Sequence, residues 1–190
     1  MALVAPPPSI EDFPTAPTPR ARLIAEALAC VRAASHLSGV TRIAPIGSLT
    51  TAEPEPKDVD LLATVTDDAD LGSLAALGRK LNGHTQAFNR GGEIFLANEQ
   101  GTYLGRICPW KRCGPGIRAS CDAWHCGRRH YLYDDFGSIR LARGLVAAPP
   151  VELWPMLMVR APLPDDIEVG LLAPLRAQGR VRSEASLAGS

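Results

Sequence analysis

Apolar residues recur at helical spacing in the first part of the chain. The members of this apolar stripe are Leu23, Ala27, Val31 and Ala34, with Ile24 and Leu28 beside them. Thr18 precedes the stripe as a typical N-cap residue, Pro19 suits the first helical turn, and Gly39 follows the last member. The pattern predicts an amphipathic helix that begins at Thr18-Pro19 and ends before Gly39.

Four short apolar segments farther along the chain predict strands. They are residues 41–46, 58–65, 93–97 and 102–107. The turn sequence Asn98–Gly101 separates the last two segments and predicts a hairpin. A second helix is predicted from Thr66 to Asn82-Gly83, because the three aspartates by position 70 would lie at the positive end of its dipole.

This order of elements predicts an α/β (α+β) domain, in which a mixed β-sheet carries helices on one face. The central segments are a core (20–107), a cysteine-rich segment (108–135) and an extension that packs on the core (136–175). A flexible proline-rich lead-in (1–19) and a flexible tail (176–190) are predicted on either side.

Composition argues against some classes of function. The chain has 20 basic and 20 acidic residues in 190, so no global field favours a nucleic acid or an anionic membrane. No apolar run reaches the roughly 18 residues of a membrane helix, so we expect no membrane partner. Residues 1–19 lack the basic start and apolar core of a signal peptide, which predicts a cytoplasmic protein with reduced thiols.

The segment Asp58-Val59-Asp60 places two carboxylates inside a predicted strand. Residues two apart in a strand point to the same face, so the two aspartates project together and repel each other. Mg²⁺ or Mn²⁺ would remove this repulsion, because both ions prefer oxygen ligands. Upstream, Gly47 would let backbone amides approach a phosphate and Ser48 would add a donor. The pattern predicts a magnesium and nucleotide site.

The same residues carry a resemblance to a known family. Ile46-Gly47-Ser48, a nine-residue spacer and Asp58-Val59-Asp60-Leu61 resemble the signature of the DNA polymerase β-like nucleotidyltransferase superfamily, in its minimal nucleotidyltransferase form. With the flanking helices, the resemblance covers about residues 20–100. It implies metal binding by Asp58 and Asp60 and contact of Gly47 and Ser48 with the triphosphate.

The resemblance also implies a third carboxylate on a later strand. Glu93 is the candidate because it opens the next predicted strand, with Asp122, Asp134 and Asp135 as weaker candidates. Glu93 would complete the catalytic set with Asp58 and Asp60 and help to deprotonate the acceptor. The spacer departs from the family pattern, since it holds Glu53, Glu55 and Lys57 where arginine is common. Lys57 is assigned to nucleotide binding in place of that arginine.

The cysteine-rich segment predicts a structural Zn²⁺ site. Four cysteines lie within nineteen residues, namely Cys108, Cys113, Cys121 and Cys126, with His125 and His130 as alternate ligands. Reduced thiols at this density are typical of a closed tetrahedral zinc site, while free thiols in a core or disulfides stay open as alternatives. Arginines and tryptophans surround the cysteines, a pattern that suits RNA, a protein partner, a homo-oligomer contact or the nucleotide base.

Together these patterns predict a metal-dependent nucleotidyltransferase that moves a nucleoside monophosphate from an NTP to an acceptor hydroxyl and releases pyrophosphate. The acceptor stays open between a protein side chain, RNA and a small molecule. Two different functions also fit the sequence: a non-catalytic, antitoxin-like binding module of the same fold, and a zinc-stabilised nucleic-acid adaptor in which the aspartates are structural.

Overall fold

The first helix forms where the apolar stripe predicts it. A computed structural model describes residues 16–113, 129–134, 136–178 and 182–183 of the chain. Helix α1 spans Pro19–Ala34, and the hydroxyl of Thr18 caps it by accepting a hydrogen bond from the backbone N–H of Ala21 at 3.1 Å. Its buried face includes Leu23 and Val31, as the stripe predicts.

The central sheet has five strands that follow one another in chain order. The strands are β1 (Val40–Ile46), β2 (Asp58–Val65), β3 (Gly91–Asn98), β4 (Tyr103–Ile107) and β5 (Leu132–Tyr133). Strands β2 and β3 pair in parallel, whereas the other neighbouring pairs are antiparallel. The predicted mixed sheet and the β3–β4 hairpin are therefore confirmed.

The second helix begins later than the acidic run predicts. Helix α2 spans Leu71–Gln86, and the side chain of Asp70 caps it by accepting a hydrogen bond from the N–H of Gly72 at 2.8 Å. The hydroxyl of Thr66 instead donates to Asp68 at 2.6 Å in the preceding turn. The short side chains of Asp68 and Asp70 accept hydrogen bonds from nearby hydroxyl and backbone N–H groups. The residues before Leu71 therefore form a loop, and the helix begins after Asp70.

The two long helices cover one face of the sheet. On this face the odd-numbered residues of β2, from Val59 to Val65, pack in one apolar cluster with the buried sides of α1 and α2. The opposite face carries a smaller cluster around Leu62, Phe95 and Val146. Val146 belongs to the short helix α3 (Arg143–Ala147), so the one-sided arrangement predicted from sequence holds for the long helices and not for α3.

The C-terminal part of the chain returns to the edge strand β1. The backbone of Ile43 exchanges hydrogen bonds with Leu153 and Trp154 at 2.8 and 3.0 Å. A small second sheet joins β6 (Val151–Glu152), β7 (Met156–Val159) and β8 (Arg182–Ser183). A helical segment lies between the last two strands and consists of α4 (Asp165–Ile167), one π-helical turn (Glu168–Leu172) and α5 (Ala173–Ala177). Its buried leucines belong to the same cluster as α1 and α2.

Candidate active site

The predicted carboxylates meet at one end of the central strands. Asp58 and Asp60 open β2, and the strand register places Asp60 between Ile46 of β1 on one side and Glu93 of β3 on the other. Because residues in register share a face, Asp60 and Glu93 project from the sheet side by side. Both aspartates are half-buried on the face opposite the long helices. The structure thus brings together the three carboxylates that the sequence singles out.

Gly47 lies directly against the carboxylate of Asp60. The φ angle of Gly47 is +73°, and a Cβ atom at this position would lie 2.9 Å from Oδ2 of Asp60. Gly47 also opens a turn of 3₁₀ helix, Gly47–Thr50, in which the hydroxyl of Thr50 donates to the carbonyl of Gly47 at 2.8 Å. Both the left-handed backbone and the close contact require a residue without a side chain.

Burial and neighbouring charges hold the pKa of Asp60 far above its usual range. Desolvation is the largest cause, followed by the charges of Asp58 and Glu93, and together they raise the pKa to about 7. A buried carboxyl group whose ionisation is disfavoured gains from a nearby cation, which stabilises its charged form. The electrostatics therefore favour a positively charged ligand over Asp58 and Asp60.

Arg106 already binds the third carboxylate. Nη1 of Arg106 donates to both carboxylate oxygens of Glu93, at 2.9 and 3.1 Å, and its guanidinium carbon lies 5.1 Å from the centre of the Tyr133 ring. When all three carboxylates are ionised, they and this arginine carry a net charge of −2, from three negative charges and one positive charge. That charge matches one divalent cation. Within the described ranges, no three His, Cys, Asp or Glu side chains form a ready-made metal-ligand group.

The donor set suits Mg²⁺ or Mn²⁺ held by two carboxylates. Mg²⁺ is commonly bound through one or two carboxylates, with water and substrate phosphates completing the octahedron. Asp58 and Asp60 fit this pattern, because they share a face of β2 and are only half-buried. Glu93 can join such a site through the lone pairs that its hydrogen bonds with Arg106 leave free.

A cavity of about 280 Å³ opens beside Glu93, on the side away from Gly47. It is lined in part by charged and aromatic side chains, namely Glu93, Arg79, Arg106, Trp110 and Tyr133, and by the apolar Ile94 and Ile107. Arg79 donates to the carbonyl of Trp110 at 3.0 Å and ties α2 to this wall. The indole of Trp110 is half exposed, so the cavity offers an aromatic surface next to a carboxylate.

The remaining predicted site residues lie in different positions. Lys57 is exposed at the start of β2, and its carbonyl accepts a hydrogen bond from the N–H of Gly91 at 2.9 Å. Asp134 is fully buried and directly follows the two-residue strand β5, so strand β4 separates it from Glu93. Asp122 and Asp135, which the sequence also offers as a third carboxylate, lie outside the described residues.

The cysteine-rich segment is described only at its two ends. Cys108 is buried and Cys113 is half-buried, while the predicted ligands Cys121, Cys126 and His125 lie outside the described residues and His130 is exposed. The loop from Cys108 to Cys113 closes around one residue: the N–H of Cys108 donates to the carbonyl of Tyr131 at 2.8 Å, and the N–H of Tyr131 points at Sγ of Cys113 at 3.1 Å.

Sequence reasoning misses the role of Arg106. Its position in the chain groups it with the basic residues of the cysteine-rich segment, but the register of β3 and β4 pairs it with Phe95, two residues from Glu93 on the same face. The predicted hairpin turn at Asn98–Gly101 could have indicated this contact. If residues are paired outward from the turn, with 97 opposite 102, then Glu93 lies opposite Arg106.

Comparison with protein-family models, with curated proteins and with solved structures finds no match for this chain. Among the described helices, none is both long and apolar enough to cross a membrane.

Proposed function

We propose that this protein is a metal-dependent nucleotidyltransferase that moves a nucleoside monophosphate from an NTP to an acceptor hydroxyl. One observation carries the proposal: the Gly47 turn lies against the carboxylate of Asp60, in the middle of a group of three acids. A backbone able to approach a triphosphate and a carboxylate pair able to hold its counter-ion are thus adjacent, although ten residues of sequence separate Gly47 from Asp58 and twelve separate it from Asp60.

Each residue has a role in this reaction. Asp58 and Asp60 hold Mg²⁺ or Mn²⁺, which when bound neutralises the triphosphate and lowers the pKa of the attacking hydroxyl. Gly47 leaves room for the triphosphate, Ser48 donates to its oxygens, and Lys57 at the rim adds charge. Glu93 takes the proton of the acceptor hydroxyl. The acceptor oxygen forms the new bond to the α-phosphorus, and the bond to the β-phosphate oxygen breaks to release pyrophosphate.

The two sides of Asp60 supply the two ends of an in-line reaction. Gly47 lies on the β1 side, and the cavity beside Glu93 lies on the β3 side. A triphosphate that binds over Gly47 leaves the Glu93 side of Asp60 for the acceptor, and the cavity, which extends along Gly78 and Asn82 of α2, borders that side at Glu93. The cavity volume of about 280 Å³ suits a small molecule, one side chain or one nucleotide better than a base-paired end.

The test is a transfer assay with each α-labelled NTP and Mg²⁺, on the protein alone and with cell lysate as the source of acceptor. We expect label transfer by the wild type and losses of at least about 100-fold in Asp58→Asn and Asp60→Asn, because each removes part of the metal clamp. Asp67→Asn is the matched control, since Asp67 is exposed in the loop before α2. Near-wild-type turnover in both site variants would contradict the proposal.

The ion pair between Glu93 and Arg106 favours one second candidate, a non-catalytic binding module. If Arg106 keeps both oxygens of Glu93, the site holds a metal and a nucleotide but lacks a free base. Binding of Mn²⁺ and NTP without label transfer in any lysate would select this second function.

We also propose a structural Zn²⁺ in the cysteine-rich segment, held by Cys108, Cys113, Cys121 and Cys126. The support is the density of cysteines in the sequence, together with the contacts that bring Cys108 and Cys113 to the same residue, Tyr131. Protein purified under reducing conditions should contain about one Zn²⁺ per chain. Metal analysis by mass spectrometry checks this content, Cys30→Ser serves as the control because Cys30 is buried on α1, and zinc-free protein would rule the site out.

A further inference from the structure

A buried arginine on α1 holds the loop that follows Gly47. Arg20 is only 8 % exposed. Its Nη2 donates to the carbonyl of Leu49 at 3.1 Å, and its Nη1 donates to the carbonyl of Glu53 at 2.7 Å. These two carbonyls lie on either side of the sharp bend at residues 50–52, so one guanidinium joins both ends of the bend.

The other side of the same guanidinium binds the C-terminal part of the chain. Nε of Arg20 donates to Oδ2 of Asp166 at 2.5 Å, and Nη2 donates to Oδ1 at 3.1 Å. This fork-to-fork geometry is the strongest arrangement of an arginine and a carboxylate. The hydrogen bond from Arg20 also lowers the pKa of Asp166, so the carboxylate stays charged at neutral pH. Arg20 thus links α1, the loop and α4.

We propose that Arg20 is a positioning residue that sets the shape of the loop from Gly47 to Glu53 and, through it, the affinity for the triphosphate of an NTP. The second half of this proposal rests on the proposed function. Leu49 is two residues from Gly47, so a fixed Leu49 carbonyl restrains the Gly47-Ser48 backbone that faces the triphosphate. Burying an arginine costs desolvation that an apolar residue would avoid, and a unique loop conformation is the gain that offsets this cost.

The chain offers a matched control in a second arginine, which is half-buried. Arg42 binds Glu152 at 3.2 Å and donates to the carbonyls of Val146 and Ala147. It therefore has the same kinds of partners as Arg20, a carboxylate and two carbonyls. Its contacts, which include a hydrogen bond to the hydroxyl of Thr64 at 3.0 Å, join β1 to β2, α3 and β6 and involve no residue of the loop. Arg42→Met should lower thermal stability as Arg20→Met does, without changing the loop.

The experiment measures binding and exchange on the full chain. Isothermal titration gives the dissociation constants of Mn²⁺ alone and of each of the four NTPs with Mn²⁺, and hydrogen exchange reports the amides of residues 48–55. We expect Arg20→Met to weaken NTP binding about tenfold, as the loss of charged hydrogen bonds implies. It should also speed exchange in residues 48–55 and leave Mn²⁺ affinity within about twofold, because Asp58 and Asp60 are untouched. Arg20→Lys, which keeps the charge but not the fork, should fall between wild type and Arg20→Met.

Several results would overturn the proposal. Unchanged NTP affinity and unchanged exchange in Arg20→Met would overturn it while the proposed function stands, and so would equal weakening by Arg42→Met. If Arg20→Met does not fold, Asp166→Asn replaces it, since the Asp166 side chain is 44 % exposed and tolerates change. A wild type that binds Mn²⁺ but no NTP would instead refute the proposed function and the affinity role, and the exchange data alone would decide the loop role.

Discussion

The two faces of strand β2 differ sharply along the same eight residues. The odd-numbered side chains, Val59 to Val65, are all buried under the long helices, so this face is uniformly apolar. The even-numbered side chains change character along the strand: Asp58 and Asp60 are half-buried, whereas Leu62 and Thr64 are buried. One strand thus supports a continuous core on one face and a candidate site at one end of the other.

On the even-numbered face, the change from half-buried aspartates to buried residues occurs where helix α3 begins to cover the sheet. Val146 of that helix packs with Leu62 and Phe95, one step along the strands from Asp60 and Glu93. The carboxylates begin where this apolar cluster stops. The comparison teaches that the site is defined by which part of a sheet face α3 leaves uncovered, within the described part of the chain, as much as by the acids themselves.

The largest expected difference in the free energy of unfolding is between single substitutions of the adjacent residues Leu61 and Asp60, which should have opposite signs. Leu61→Ala should lower the free energy of unfolding by about 2–5 kcal/mol, because it leaves a cavity in the helix-covered core. Asp60→Asn should raise it at pH 8 without metal, because the repulsion among three carboxylates is reduced. Urea denaturation of both variants checks the contrast, and equal signs for the two would break the comparison between the faces.

The stability of the metal-free protein should fall as pH rises between about 4 and 7 through Asp60. Its pKa is about 7 in the folded protein and is near 3.8 when unperturbed, so the folded state holds the proton more tightly in this range. The contribution should be on the order of 2–4 kcal/mol. Unfolding at a series of pH values, with wild type and Asp60→Asn side by side, measures it. A slope that is unchanged by the substitution would show that Asp60 does not titrate in this way.

Gly47 and Gly101 have nearly equal φ angles but different surroundings. Alanine substitutions at the two positions therefore distinguish the cost of backbone strain from the cost of a steric contact. Gly47 has a φ of +73° and lies against Asp60, whereas Gly101 has a φ of +74° and open space where a Cβ would be. Gly101→Ala should cost about 1 kcal/mol from the backbone alone. Gly47→Ala should cost about 1–2 kcal/mol more and weaken NTP binding, because its methyl group meets the carboxylate. Thermal unfolding and NTP titration of the two variants measure the difference. Equal losses of stability and of NTP affinity would show that the contact between position 47 and Asp60 is unimportant.

The smallest stability effect should come from the Glu93–Arg106 pair. The side chain of Glu93 is 43 % exposed, so removing its partner by Arg106→Met should change the free energy of unfolding by only about 0–1 kcal/mol. Mn²⁺ binding should nevertheless tighten a few-fold, because a competing positive charge is removed. Glu93→Gln is the companion variant and should weaken Mn²⁺ binding. Titration of Mn²⁺ by calorimetry decides whether Glu93 belongs to the metal site.

Local patterns predict the parts of the site that depend on alternation along a strand. The spacing of Asp58 and Asp60 places both on one face of β2, and the order of elements places Glu93 on the next strand. These predictions work because side-chain direction in a strand follows position in the sequence. The predicted start of α2 at Thr66 is wrong, since helix propensity does not resolve which of several aspartates becomes the cap.

The contacts between distant segments are beyond sequence reasoning. The pairing of Arg20 with Asp166 joins residues 146 positions apart, and neither residue has a neighbour that marks it as part of a pair. The parallel register of β2 and β3 also depends on how α2 crosses between them, which the sequence pattern leaves free. Such contacts are fixed by tertiary packing, and they supply the arginine that holds the loop after Gly47.

The Arg20–Asp166 contact has a consequence for synthesis of the chain. Translation delivers Gly47, Asp58 and Glu93 to the exit of the ribosome long before it delivers Asp166, which follows Arg20 by 146 positions. A nascent chain can therefore pair its central strands while Arg20 contacts the loop after Gly47 but still lacks its partner Asp166. On the proposed function, full nucleotide affinity should appear late, after Asp166 has emerged, so stalled or truncated chains would have formed strands but would bind NTP more weakly.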